Sequence, residues 1–393
     1  MQEGPLGFEE RLTELADHGA EGVCDFVDAV LREGLHRGAS DIHVEPLPDE
    51  VHVRFRLDGV LHPSIAVRTK CCQNVIARLK VLSDLLTYQT DVPQEGRLNR
   101  ERIGADGDLR VSTFPTVHGE KVVVRLFDPA TQNVHLGDLG YPDAIREQIE
   151  RHLRQPKGVI LLTGPAGSGK TTTIYAAVRY VLEQSGGRRN IVTVEDPVER
   201  VLPGVTQTQV QPGTGLTFAR CLRSLVRQDP EVIVIGEIRD RETADIAVEA
   251  GLTGHLVIST IHSGTAAGVF TRLLEMGVEP HLVTSSVALV VAQRLVRKLC
   301  SCKQLASSAW EPAGCERCFG AGFAGRTVLA EALPMNAAMR KLILARAETE
   351  AFESAATEQG MRSLRDCATD LTAAGVTSAD EVRRVLGADM RAG

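Results

Sequence analysis

One stretch, Gly164-Pro165-Ala166-Gly167-Ser168-Gly169-Lys170-Thr171, constrains this chain more than any other feature. It fits G-x-x-x-x-G-K-[ST], follows an apolar run from Val159 to Thr163, and leads into a segment of helical spacing from Thr171 to Glu183. Strand, glycine-rich turn and helix in that order are the context this pattern requires. The glycines let successive backbone N–H groups converge on phosphate oxygens, and the helix N-terminus adds its partial positive charge. Lys170 is placed to reach the outer phosphates and the Thr171 hydroxyl to complete the coordination of Mg²⁺, with Thr172 counted among the nucleotide-binding residues. The spacing therefore predicts a nucleoside triphosphate site.

The surrounding sequence alternates apolar runs with helical segments. Val159 to Leu162, Ile191 to Val194, Val232 to Ile235 and Leu256 to Ser259 lack polar alternation, as strands buried on both faces of a parallel sheet do. Two carboxylates close such runs: Glu195 in Val194-Glu195-Asp196-Pro197, and Glu237 after Val232 to Gly236, a Walker-B pattern. One can organise the Mg²⁺ shell and the other can orient or deprotonate a water. Which does which is left open by the sequence, and an acidic strand end also serves as an ordinary solvated loop or helix cap. His255 and His262 bracket the last run. Either can donate a ring N–H to a γ-phosphate, or hold local structure.

Ahead of this α/β region the periodicity is mixed. Glu21 to Gly38 predicts an amphipathic helix, and Val51, Val53, Phe55 and Leu57 alternate with polar residues as a half-buried strand turning at Asp58-Gly59. A helix is expected from Cys71 to Leu86, and a hairpin from Leu109 to Phe114 and Lys121 to Phe127. The resulting organisation is an α+β domain over 1–128, a turn-rich linker over 129–142, and an α/β domain over 143–393 with a helical tail from Ala330 onward. There is no internal repeat.

Composition excludes several classes. The 51 acidic residues exceed the 44 basic ones for a net charge of −7, which argues against a nucleic-acid-coating surface. No apolar run reaches the 18 residues of a membrane span, and Met1 to Arg11 has no apolar signal core, so a cytoplasmic protein is expected. Four of nine cysteines cluster as Cys300-Ser301-Cys302 and Cys315-Glu316-Arg317-Cys318. In a reducing compartment this predicts a tetrahedral Zn²⁺ site, with free thiols as the alternative. The C-x-C half is tight enough to leave one of Cys300 and Cys302 short of the metal.

Together these residues resemble the hexameric ATPases of type II secretion and type IV pilus assembly. The likeness runs from Val23 to Arg326 through Gly38 to Pro46, Arg54 to Gly59, Arg110-Val111-Ser112-Thr113, the phosphate loop, Thr193 to Glu199, Leu216-Thr217-Phe218, Arg227 to Pro230, Gly236 to Asp240 and Thr253 to His262. The resemblance implies a RecA-like P-loop motor domain and a smaller, PAS-like α+β domain that closes over ATP within a homohexameric ring. It implies that Glu195 activates water, that Glu237 is the Walker-B glutamate, and that Arg110 and Arg125 contact phosphate. It further implies a peripheral place at the inner membrane, with motion passed to a membrane platform protein, while the acidic balance argues against direct contact with nucleic acid. The cysteine cluster points to the assembly or secretion branch, and the short stretch before Glu21 to the lack of an additional docking domain. If Thr116 to Gly119 closes the hairpin, Arg110 and Arg125 face each other, and like charges so placed call for an anion. A nucleic-acid translocase, a non-hydrolysing scaffold and a small-molecule kinase remain the alternatives.

Overall fold

A computed structural model of the chain describes residues 7–63, 65–99, 108–126, 134–307 and 309–387. Phe127 and the 128–133 part of the turn-rich stretch lie outside the described residues, as do 388–393 of the tail. The chain divides into two compact units, Met1–Gln132 and Asn133–Gly393. Among the described residues no helix is long and apolar enough to cross a membrane.

The first unit runs α1 (Phe8–Asp17), α2 (Val23–His36), β1 (Asp41–Pro46), β2 (Glu50–Leu57), β3 (Val60–Leu61), β4 (Ile65–Arg68), α3 (Cys72–Leu82), β5 (Gln94–Asn99), β6 (Asp108–Thr116) and β7 (Gly119–Arg125). Its sheet has the order β3-β2-β1-β7-β6-β5, with β4 also paired to β2. The period-2 pattern of β2 sends Val51, Val53, Phe55 and Leu57 into the core under α2 and α3. Asp58 and Gly59 both take positive φ, 49° and 83°, the two-residue geometry that twists a hairpin correctly. The β6–β7 hairpin turns at Val117-His118, and its register sets Arg110 opposite Arg125, as the sequence predicted. Two expectations shift. Helix α1 precedes the predicted first helix, and α3 stops at Leu82, because Ser83 and Asp84 (φ 55°) turn the chain out of the helix.

The second unit runs α4 (Asp143–Leu153), β8 (Gly158–Thr163), α5 (Lys170–Ser185), β9 (Ile191–Glu195), β10 (Thr206–Gln209), α6 (Phe218–Leu225), β11 (Val232–Ile238), α7 (Arg241–Leu252), β12 (Leu256–Ile261), α8 (Ala266–Glu275) and α9 (Pro280–Ser286). It continues with β13 (Val287–Leu299), β14 (Gln304–Ala306), β15 (Ala309–Glu311), β16 (Phe323–Pro334), α10 (Ala337–Leu344), α11 (Thr349–Glu358), α12 (Leu364–Ala373) and α13 (Ala379–Leu386). The main sheet, β10-β9-β11-β12-β8-β13-β16, is parallel except for its last pair. The apolar runs are buried on both faces and feed two separate cores. Val159, Leu161, Ile233 and Ile235 pack on one side with α6, α7 and α8, while Ile160, Leu162, Val232 and Val234 pack on the other with α4 and α5. Each such side chain contributes about 1.5–3 kcal/mol of burial.

The helical tail starts later than expected. Phe323–Pro334 is strand β16, paired antiparallel with β13 from Leu289↔Pro334 to Leu299↔Phe323. Its alanines and leucines favour a helix locally, but pairing with β13 and burial on both faces override that propensity. Four helices, α10 to α13, follow among the described residues.

Candidate nucleotide site and cysteine cluster

The loop from Gly164 to Gly169 leaves the C-terminal end of β8 and caps the 16-residue helix α5. Gly164 has no room for a side chain, since a Cβ there would lie 2.4 Å from the Gln293 carbonyl oxygen, and Gly169 holds φ at 87°. Lys170 Nζ donates to the carbonyls of Gly164 (2.8 Å) and Pro165 (2.9 Å). Burial pushes its ammonium below the ordinary lysine value, and the Glu237 charge works against that shift.

The ends of β9, β11 and β12 open on the same cleft, about 280 Å³, which Lys170, Thr171, Glu195, Glu237, Arg239 and His262 line together. This is the crevice at the carboxyl edge of a parallel sheet. Glu195 is buried, 5% exposed, and every partner donates to it. Oε1 accepts from Thr193 Oγ1 at 2.5 Å and from Gln207 Nε2 at 3.0 Å, and Oε2 accepts from the Tyr175 hydroxyl. A carboxylate has about four lone-pair directions, so one on Oε2 is left for a water. Glu237 lies between two bases, with Arg239 Nε and His262 Nε2 each 2.7 Å away. Arg239 Nη1 also stands 3.6 Å from Asp196.

His255 is not brought here. It precedes β12 while His262 follows it, a separation of roughly 20 Å along the strand. Its Nδ1 faces the Ala250 carbonyl at 3.1 Å, at the C-terminal end of α7. Of the two roles the sequence left open for the histidines, His255 makes a local structural contact within this chain, and of the pair His262 lines the cleft. Sequence reasoning also missed Tyr175, Gln207 and Arg239. Tyr175 had a signal, because it sits one helical turn beyond Thr171 on the same face. Gln207, on the polar edge strand β10, had none.

The four clustered cysteines converge below the β13–β16 hairpin, with their sulfurs all within 4.8 Å of one another. Cys300–Cys315, Cys302–Cys318 and Cys315–Cys318 are 3.8, 3.9 and 3.7 Å apart. A tetrahedron with Zn–S bonds near 2.3 Å needs sulfurs about 3.8 Å apart. The tight C-x-C spacing keeps neither Cys300 nor Cys302 out of the set. A backbone N–H from Cys302 lowers the pKa of the Cys300 thiol, while burial and the neighbouring thiols push Cys302 up, as in a set of thiols that share one site.

A glycine-rich loop on a parallel sheet, its lysine and threonine, and two carboxylates on adjacent strand ends define a P-loop NTPase motor domain. The type II/IV secretion system protein family matches residues 16–384. Type II secretion system protein HxcR of Pseudomonas aeruginosa is 42% identical over 95% of this chain and 80% of its own length. Type II secretion system ATPase E of Vibrio cholerae is 43% identical over 92% of this chain and 75% of its own. Type IV pilus assembly ATPase PilB of Thermus thermophilus is 40% identical over 91% of this chain and 42% of its own. The structure of the Legionella pneumophila ATPase DotB shares the fold, with a TM-score of 0.70 at 22% identity over 91% of this chain and 94% of that one. The chain belongs to the type II/IV secretion system protein family. It is an ATPase.

Proposed function

We propose that the chain hydrolyses ATP with Mg²⁺ as one subunit of a homohexameric ring and drives type II secretion or type IV pilus assembly. In this reading it works peripherally at the inner membrane and acts on a platform protein there. The observation that carries the reading is the convergence of Lys170, Thr171, Glu195, Glu237 and His262 on one cleft. Gly164, Pro165, Ala166, Gly167, Ser168, Gly169 and Thr172 complete the phosphate cradle and the start of its helix. Mg²⁺, held through Thr171, supplies the positive charge that a triphosphate beside two carboxylates requires.

Within this scheme Glu195 takes the proton of the attacking water through the remaining lone pair of Oε2. Glu237 acts as the Walker-B carboxylate, and His262 orients it and reads the terminal phosphate. Arg110 and Arg125 add an anion clamp from the front unit. Their register is the support: Arg110 and Arg125 stand directly opposite on β6 and β7, so both guanidinium side chains leave the same face of the sheet. Cys300, Cys302, Cys315 and Cys318 hold a structural Zn²⁺.

The test is Glu237→Gln, with ATP turnover measured beside particle mass. The variant is expected to bind ATP, assemble as the native chain does, and turn over at least about tenfold more slowly, a barrier increase of about 1.4 kcal/mol. Native turnover in that variant removes Glu237 from the chemistry.

A further inference from the structure

The phosphate loop is braced by a strand more than a hundred residues downstream. Gln293, on β13, is fully buried, and its amide is engaged at both ends. Its Nε2 donates to the Ser168 carbonyl at 2.7 Å, and its Oε1 accepts from the Tyr141 hydroxyl at 2.6 Å. Tyr141, buried ahead of α4, also has its hydroxyl 3.1 Å from Thr173 Oγ1 on α5. Because the tyrosine's single proton is committed to Gln293, the Thr173 hydroxyl is the donor in that contact. Donation therefore runs one way, from Thr173 to Tyr141 to Gln293 to Ser168. Reversing the amide would set its oxygen against the Ser168 carbonyl with no proton between them.

We propose that Gln293, oriented by Tyr141, is a positioning residue for ATP in this ATPase: it fixes the peptide plane between Ser168 and Gly169. A trans peptide points its C=O and N–H in opposite directions. A carbonyl held toward β13 turns the Gly169 N–H away from the strand, to the side on which phosphate enters. The backbone leaves little freedom to achieve this otherwise. A Cβ on Gly164 would lie 2.4 Å from the Gln293 carbonyl oxygen, and one on Gly169 would lie 3.3 Å from Gln293 Nε2. Two of the loop's glycines are thus demanded by β13 from beneath as well as by a ligand from above. This brace touches no substrate atom, so its effect falls on nucleotide binding more than on the chemical step.

The experiment compares Gln293→Met, which keeps an unbranched side chain of similar length and removes both hydrogen bonds, with Tyr141→Phe and with the double variant. ATP turnover gives KM and kcat, and thermal unfolding without nucleotide reports on stability. Gln293→Met is expected to raise the KM for ATP about fivefold or more, with a smaller loss in kcat. Tyr141→Phe moves KM in the same direction by less, and the double variant goes no further than Gln293→Met, since both act through one amide. A purely structural role would lower the unfolding midpoint and leave KM in place. Unchanged KM in folded Gln293→Met, or additive effects in the double variant, overturns the proposal. If Gln293→Met does not fold, Tyr141→Phe decides alone: a raised KM supports the brace, and a native KM overturns it.

Discussion

At the residue scale, two buried carboxylates show how partners divide chemistry from structure. Glu195 receives three neutral donors, Tyr175, Thr193 and Gln207, which orient it without cancelling its charge. Glu381, 1% exposed, receives Arg297 at 2.7 Å and Arg384 at 2.6 Å together with the Arg297 backbone N–H at 3.0 Å. Burial alone would raise its pKa, but these bonds outweigh burial and bring it down to about 2 from the ordinary 4.5. A depressed carboxylate stabilises the fold above its unfolded pKa and loses that contribution as pH falls through the folded value. Urea titrations of the native chain and of Glu381→Gln should show a native advantage at pH 7 that narrows between pH 4.5 and 2. A gap that widens on acidification contradicts this assignment.

The decisive element is the β13–β16 hairpin. It closes the motor sheet, carries Gln293 to the phosphate loop, receives Glu381 from α13, and leads directly into Cys300. Glu331, on β16, accepts the backbone N–H of Ala266 at 2.7 Å and of Leu364 at 3.1 Å, so one carboxylate caps the starts of α8 and α12. A metal below this hairpin would fix its open end. One Zn²⁺ per chain is expected from elemental analysis. Cys302→Ser is expected to lower that content and the unfolding midpoint together, since a structural site contributes folding energy. A metal-free native chain, or full zinc retention in Cys302→Ser, contradicts the four-cysteine site. None of this hairpin was legible as strand beforehand, because Ala330 to Leu333 carries helix-favouring residues and its partners, Gln293 back to Val290, lie far earlier in the chain. The phosphate loop was legible because every part of it is contiguous, and the β6–β7 register because a tight turn fixes it. Gln207 beside Glu195 and Gln293 beneath Ser168 were not, since packing between separate elements brings them in.

At the scale of the whole molecule, each unit holds part of what the proposed reaction requires. The second unit collects the loop, the carboxylates and His262 in one cleft. The first sets two arginines opposite each other on a sheet whose other face is core. Sequence resemblance alone connects the two, and the charge on a transferring phosphoryl group gives the connection its physical reason. The most direct test is the kcat for ATP of the intact, assembled chain beside Arg110→Ala and Arg125→Ala. Each variant is predicted to bind ATP at the phosphate loop and to lose at least about a hundredfold in kcat, the cost of removing one preorganised donor from a developing charge. Native turnover in both variants would contradict the claim that the front unit takes part in hydrolysis.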